Sequence, residues 1–275
     1  SSFPFTSSTI TPGSAEWRHD TISADFTGDN ITDLVVTQTG QDEIKLLRND
    51  GSANFVDNGT LTVGDLPLKI VSGDWNSDNQ TDLAVVNRDN NSVSIIQNNN
   101  GIFSVIDTLS LNGTPVQITS ADWDSDNYTD LAVLTRSSNL VQIWLNSGSG
   151  VFTAQSETYS VGSLPTDIIS GDWNCDENQD LAVSNSGGST ISLIYGNGSG
   201  DFDSPVSISS ASGPRKIVAA DFDNDSIMDF VVAHNFLVST SGVSLLTGDF
   251  SLTLSDNSFS NGYGLPVSFA ATISE

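Results

Sequence analysis

Five clusters of aspartate residues recur along the chain, and their spacing is suited to binding a divalent cation. The clusters begin at Asp25, Asp74, Asp122, Asp172 and Asp221, which are 48–50 residues apart. In each ten-residue stretch, oxygen-bearing side chains stand at positions 1, 3, 5 and 9, an aromatic residue stands at position 2, and an apolar residue follows at position 10. A period this regular indicates a repeat architecture.

Oxygen ligands at alternate positions of a short loop are typical of calcium chemistry. Ca²⁺ takes about six to eight hard oxygen ligands at about 2.3–2.6 Å. We therefore predict five Ca²⁺ ions, one per complete repeat, each bound by the side chains at positions 1, 3, 5 and 9 and by the backbone carbonyl at position 7. The predicted ligands, loop by loop, are Asp25, Thr27, Asp29, Ile31 and Asp33; Asp74, Asn76, Asp78, Gln80 and Asp82; Asp122, Asp124, Asp126, Tyr128 and Asp130; Asp172, Asn174, Asp176, Asn178 and Asp180; Asp221, Asp223, Asp225, Ile227 and Asp229.

Position 6 of each loop requires a sharp turn with left-handed backbone angles, which Gly and Asn tolerate best. Asn occupies it in the first three loops. Glu177 and Ser226 occupy it in the last two, which predicts more strain there, and Thr27 at position 3 predicts weaker binding in the first loop.

A single cluster of this kind could equally be an Asx-rich surface turn, but five copies in register favour a metal loop. An EF-hand is disfavoured because the last carboxylate stands at position 9 instead of 12 and helical flanks are missing. Each loop is followed by a strand-like run, such as Asp130-Leu-Ala-Val-Leu.

The repeated unit I-x-S-G/A-D-W/F-[DN]-x-D-x-x-x-D-L resembles the FG-GAP/VCBS repeat, the calcium-loop blade of integrin-α-like β-propellers. The similarity extends from about residue 17 to residue 260. It implies an all-β β-propeller of four-stranded blades, with five full repeats of about 49 residues and partial blade strands at both termini. It also implies calcium in the loops and a non-enzymatic role in binding or adhesion.

Outside the acidic loop, the sequence of each repeat predicts four short strands joined by Gly/Asn-rich turns. A short apolar strand precedes the loop, a second strand follows it, and a third strand alternates in polarity. The fourth strand opens on a Phe residue, such as Phe103, Phe152 or Phe202. The position 2 aromatics are predicted to wedge between neighbouring blades, with sugar stacking as the alternative; they are Phe26, Trp75, Trp123, Trp173 and Phe222.

We predict one β-propeller domain over residues 1–275, with blades at 17–63, 64–112, 113–161, 162–210 and 211–260. Residues 1–16, with a strand from Phe5 to Thr11, are expected to form the outer strand of a partial blade, and residues 261–275 the first strand of a partial blade. Three explanations for the incomplete ring are open: a fragment of a longer protein, a reduced ring closed by the two end strands, or subunits that complete each other's blades.

The charge balance excludes some partners. There are 8 basic and 34 acidic residues, and the formal net charge of −26 repels nucleic acid and anionic lipid. About half of the acidic residues lie at ligand positions, so metal binding is expected to relieve their repulsion and to stabilise the fold. A solvated surface suited to a salty habitat is the alternative reading of this acidity. No stretch approaches the about 20 apolar residues of a membrane span.

Several features predict an extracellular location, either secreted or at the cell surface. Calcium is millimolar outside cells, which suits loops with dissociation constants of about 10⁻⁴–10⁻³ M. No signal peptide is visible, and the first residues resemble a mature or excised sequence. Cys175 is the only cysteine, so no intrachain disulfide is expected. Four sequons lie in predicted turns and are candidate glycosylation sites; they are Asn58, Asn90, Asn112 and Asn197.

The sequence predicts a protein that is not an enzyme. His19 and His234 are the only imidazole bases, and no nucleophile elbow, zinc motif or phosphate-binding loop accompanies them. The expected partner is a protein or glycan on the cell surface or matrix. Two alternatives are a carbohydrate-binding lectin and a fibre subunit that associates with itself through the incomplete terminal blade.

Overall fold

In the computed structural model, residues 20–225, 227–234 and 242–247 are described, and all regular elements within them are β-strands. The strands form five antiparallel sheets, and in each sheet hydrogen-bonded neighbours are consecutive in the chain. No helix capable of crossing a membrane occurs in this part of the chain. The chain divides into two compact units, Ser1–Ser110 and Leu111–Glu275.

The first unit contains two four-stranded sheets. The strands of the first sheet are β1 (Thr21–Ala24), β2 (Asp33–Gln38), β3 (Glu43–Asn49) and β4 (Phe55–Thr62). Those of the second are β5 (Pro67–Gly73), β6 (Asp82–Asn87), β7 (Ser92–Asn99) and β8 (Ile102–Ser110). Both sheets match the predicted order of four strands per repeat.

The second unit contains two four-stranded sheets and three described strands of another. The first sheet contains β9 (Pro115–Ala121), β10 (Asp130–Thr135), β11 (Leu140–Asn146) and β12 (Phe152–Ser160). The second contains β13 (Pro165–Gly171), β14 (Asp180–Asn185), β15 (Thr190–Ile194) and β16 (Val206–Ser209). The third contains β17 (Pro214–Ala220), β18 (Asp229–His234) and β19 (Gly242–Leu246).

Some predicted strands lie outside the described residues: the strand from Phe5 to Thr11, the outer strand of residues 211–260, and the strand of residues 261–275. The prediction that Phe202 opens a fourth strand is wrong. Phe202 makes only an isolated bridge with Gly196, and the strand begins at Val206. Pro205 lies between them and has no N–H to donate to a strand ladder.

Burial differs across each sheet, and the sequence shows why. Strand β6, Asp-Leu-Ala-Val-Val-Asn, is buried along its whole length, as a short continuous apolar run predicts. The outer strand β8 is mostly exposed and carries more polar residues. The second strand of the sheet is therefore its core, and the residue that opens this strand becomes buried with it.

Three of the position 2 aromatics, Phe26, Trp123 and Trp173, pack against the sheet that follows them in the same unit, as predicted. Trp123 is buried in a cluster with Leu181 and Phe202, and its ring centroid is 6.1 Å from that of Phe202. In the first unit, the centroids of Phe26 and Phe103 are 5.8 Å apart. Large rings bury much apolar area, so these contacts join consecutive repeats.

Trp173 packs edge to face on Phe230, with ring centroids 4.9 Å apart. Phe222, the last aromatic of the series, has a different environment. Phe222 is 47% exposed, and the repeat predicted to follow it lies outside the described residues.

Candidate metal centres

The predicted calcium loops connect the first and second strands of each sheet, so all five lie at the same end of their sheets. Position 1 follows directly after a first strand, as Asp122 follows β9. Position 9 is the first residue of a second strand, as Asp130 is of β10. The sheet therefore fixes both ends of the loop and leaves the residues between them to turn.

The carboxylate at position 1 shapes the loop by accepting backbone N–H groups from further along it. Oδ1 of Asp74 accepts from Asp78 N at 3.1 Å, and Oδ2 accepts from Asn79 N at 2.8 Å. Asp172 makes the same pair of bonds to Asp176 N and Glu177 N. Short polar side chains commonly bind nearby backbone in this way. The loop is thus wound around its first acid.

Two residues of each of the first four loops adopt left-handed backbone angles, of which the sequence predicted one, and Ser226 at position 6 of the fifth loop lies outside the described residues. Position 6 is left-handed as predicted: Asn30 (φ 62°), Asn79 (64°), Asn127 (70°) and Glu177 (71°). Position 4 is left-handed as well: Gly28 (75°), Ser77 (62°), Ser125 (60°), Cys175 (61°) and Asn224 (63°). Gly28 and Asn224 are residue types that favour a left-handed backbone at position 4. The other loops have Ser or Cys there, so the sequence did not indicate this second left-handed position.

The position 9 aspartates have a structural role that the sequence did not indicate. Asp130 is fully buried; its Oδ2 accepts from Trp123 N at 3.0 Å and its Oδ1 from Asn146 N at 2.8 Å. Asp82 makes the same two bonds to Trp75 N and Asn98 N. These carboxylates tie the start of the loop to the end of the third strand.

Burial makes several of these acids hard to ionise. Burial, helped by the charge of neighbouring loop carboxylates and opposed by the backbone hydrogen bonds, raises the pKa of Asp82 to about 6 and that of Asp130 to about 7. Burial also raises the pKa of Asp180. Buried like charges are costly, and a bound cation removes that cost.

The third and fifth loops gather three carboxylates each. In the third, oxygen atoms of Asp122, Asp124 and Asp130 lie within 4.8 Å of one another. Asp122 Oδ1 is buried and has no hydrogen-bond partner among the described residues. In the fifth, Asp221, Asp223 and Asp225 form a corresponding group. A donor set made only of oxygen fits a hard cation such as Ca²⁺ better than Zn²⁺, which prefers nitrogen and sulfur.

The position 5 aspartates accept the backbone N–H of position 7 in every loop, at 2.8–3.0 Å. In the second and fourth loops, the Asn at position 3 also donates its amide to this aspartate: Asn76 to Asp78 and Asn174 to Asp176, each at 3.0 Å. In these two loops the side chains at positions 3 and 5 therefore lie side by side, as they must if both are to bind the same ion.

The first loop differs, because a cation from outside the loop contacts it. Arg48 Nη2 lies 3.0 Å from Oδ2 of Asp29, the position 5 residue. The hydrogen bond from Arg48 lowers the pKa of Asp29. Sequence reasoning did not identify Arg48, since it lies 19 residues from Asp29.

The remaining candidate residues are placed as follows. His234 is buried and lies 2.5 Å from Ser244 Oγ, and burial lowers its pKa. Cys175 is an exposed free cysteine. The four candidate sequon asparagines are all exposed. His19 lies outside the described residues.

Repeated four-stranded antiparallel sheets with an acidic loop after each first strand define this protein as a β-propeller of repeated blades. The model of the FG-GAP-like repeat matches residues 25–85, 74–133, 122–183 and 172–232. The chain therefore belongs to the FG-GAP repeat family. No curated protein gives a significant match to the sequence.

Solved structures share the fold at low sequence identity. BBS1N in complex with ARL6DN is 16% identical, with a TM-score of 0.56 over 81% of this chain and 64% of that one. A functionally unknown protein from Desulfotomaculum acetoxidans is 14% identical, with a TM-score of 0.60 over 84% of this chain and 69% of that one. The periplasmic gluconolactonase PpgL from Pseudomonas aeruginosa is 16% identical, with a TM-score of 0.57 over 72% of this chain and 55% of that one. The chain thus spans less than two thirds of the BBS1N and PpgL chains.

Proposed function

We propose that this protein is an extracellular calcium-binding module that serves adhesion, ligand binding or surface structure without catalysis. One observation carries the proposal: Asp122, Asp124 and Asp130 converge, and Oδ1 of Asp122 is buried without a hydrogen-bond partner in the described part of the chain. A buried carboxylate oxygen with no partner is costly, and a bound cation removes the cost.

The ion's role is to stiffen the blades. Its ligands would come from the loop itself, and the position 9 aspartates also bind backbone at the start of the loop and at the third strand. An ion there supports the junction between the loop and the sheet core. Because the protein supplies most of the ligands, little open coordination remains for chemistry.

The extracellular assignment rests on the affinity for calcium that is expected of the loops. Calcium sites in extracellular modules have dissociation constants of about 10⁻⁴–10⁻³ M, and this range matches the calcium level outside cells. Partners are then a protein or glycan that meets a strongly acidic surface. Basic patches on that partner would speed association at low salt.

Catalysis has little support in the described residues. The buried position and lowered pKa of His234 suit a neutral structural group. The gluconolactonase relative shares the fold at 16% identity, and fold alone does not determine activity.

Isothermal titration calorimetry of the metal-free protein with CaCl₂, and separately with MgCl₂, tests the proposal. We expect several calcium ions to bind in the submillimolar to millimolar range, with much weaker binding of magnesium. A glycan array and a lactone hydrolysis assay, both at 2 mM Ca²⁺ (roughly the upper end of that affinity range), separate a lectin and a lactonase from a protein-binding module. Absence of calcium binding contradicts the proposal.

A further inference from the structure

The first loop contains a cation supplied by the protein itself. Arg48, near the end of β3, places Nη2 at 3.0 Å and Nε at 3.3 Å from Oδ2 of Asp29. The other oxygen of Asp29 accepts Ile31 N at 3.0 Å. Both oxygens of this predicted ligand therefore have partners, and one of the partners is a group that stays positively charged at every accessible pH.

The first repeat alone has a basic residue at this position. Strand pairing aligns the third strands, because the residue at loop position 10 pairs in turn with Leu47, Ile96, Trp144, Ile194 and Leu246. The next residue in each repeat is Arg48, Gln97, Leu145, Tyr195 and Thr247. Arg48 is therefore a feature of the first loop and not of the repeat.

The charge of the first loop is also the least favourable for a dication. Position 3 is the neutral Thr27, so with Arg48 the loop carries two net negative charges. At their ligand positions the second and fourth loops carry three negative charges and the third and fifth carry four, and Glu177 at position 6 adds one to the fourth loop. Calcium affinity depends on the charge of the ligands, and a positive group a few ångströms away repels the ion. The two three-carboxylate groups in the described residues belong to the loops with four acids at their ligand positions.

We infer that the Arg48 guanidinium replaces calcium in the first loop, so that this repeat is independent of calcium while the other loops bind it. The inference rests on the proposed function, because it presupposes calcium in the other loops. Arg48 is 51% exposed and Asp29 25% exposed, so their ion pair adds little stability. Its effect is to neutralise Asp29 and to exclude the ion.

Native mass spectrometry of the full chain in calcium, supported by calorimetry, tests this with three variants. Arg48→Gln introduces the residue that the second repeat has, and we expect one more bound ion than in the wild type. Arg88→Gln is the control, since it removes the same charge from an ion pair with Asp89 at a turn outside the loops. It should leave the ion count unchanged. Asp29→Asn should change nothing in the wild type but remove the extra ion from Arg48→Gln.

A reciprocal variant guards against a misfolded Arg48→Gln protein. Gln97→Arg places the cation beside the second loop, and we expect one ion fewer than in the wild type. Equal ion counts for the wild type and a folded Arg48→Gln protein would overturn the inference, as would loss of one ion on Asp29→Asn alone. In both cases calcium still binds elsewhere and the proposed function stands. No bound ion in any variant contradicts both.

Discussion

Lys216 Nζ lies 2.9 Å from Oδ1 of Asp167 and joins the first strands of two neighbouring sheets in the second unit. Asp167 is fully buried and accepts two more hydrogen bonds, from Ile217 N at 3.0 Å and from Gln117 Nε2 at 2.6 Å. One carboxylate thus connects β9, β13 and β17.

The first unit contains a related pair at the same repeat position. Lys69 Nζ lies 3.6 Å from Oδ2 of Asp20, which also accepts Ile70 N at 3.2 Å. Each of these residues stands five positions before the first aspartate of its loop. The repeats therefore carry complementary side chains at equivalent positions, and these join the first strands of consecutive sheets within each unit.

Replacing Asp167 with Ala should lower the free energy of unfolding by about 2–4 kcal/mol, because Ile217 N–H and the Gln117 amide lose their acceptor and each unsatisfied buried group costs about 1–3 kcal/mol. Lys216→Ala should cost less, since that side chain is 61% exposed and Asp167 keeps its hydrogen bonds from Ile217 N and Gln117 Nε2. Urea denaturation in calcium measures both. Equal losses of stability for the two variants would show that the ion pair with Lys216, and not the hydrogen bonds from Ile217 and Gln117, accounts for the contribution of Asp167.

Truncating Trp123 to Ala should destabilise the second unit by about 3–5 kcal/mol, the usual cost of removing a buried Trp or Phe side chain. The matched variant Phe222→Ala removes the aromatic at the same loop position, but that ring is 47% exposed. It should cost less than about 1 kcal/mol. Chemical denaturation followed by circular dichroism gives both values, and a similar cost at the two positions argues against the wedge role.

Removing calcium should lower the melting temperature substantially. At about 2 mM CaCl₂, a site with a dissociation constant of about 10⁻⁴–10⁻³ M stabilises the fold by about 0.6–1.8 kcal/mol. At this size, each 1 kcal/mol corresponds to roughly 2–4 °C. Differential scanning fluorimetry in EDTA and in CaCl₂ measures the shift, with MgCl₂ as the control. An unchanged melting temperature in chelator contradicts structural calcium.

Changing Asp126 to Ala should weaken calcium binding at the third loop only. Loss of an outer-shell partner of a metal ligand costs about 10–100-fold in affinity, so loss of a direct ligand should cost at least as much. Asp107→Ala is the control, since Asp107 is an exposed acid on the outer strand β8. Calorimetric titration should show one weakened site for Asp126→Ala and none for the control.

The metal-free protein should become less stable as the pH rises from about 4 to about 7. Burial raises the folded-state pKa of Asp82 to about 6 and of Asp130 to about 7, above the unfolded value of about 3.9. The folded state then binds more protons in this window, so deprotonation disfavours it. Calcium binds the deprotonated form, so the stabilisation by calcium should grow over the same range. Melting curves with and without calcium at pH 4.5, 5.5, 6.5 and 7.5 test this, and a constant difference would contradict it.

Much of the fold could be predicted because its information is local. The spacing from Asp122 to Asp130 and the apolar run after it place a loop before a buried strand, and the next repeat does the same. Asn127 indicated a left-handed turn because few residues tolerate that backbone. Position 4 was missed because Ser125 and Cys175 carry no comparable preference, and the hydrogen bonds of the loop impose the angle on them.

The sequence alone determined the repeat, the order of the strands and the oxygen-rich loops, since each depends on residues within about ten positions of one another. Only the tertiary structure decided which carboxylates meet a cation from the protein itself. Arg48 reaches Asp29, and Lys216 reaches Asp167, because strand pairing and sheet packing bring distant residues together. Those contacts depend on the register of whole sheets, which the local sequence around each residue does not show.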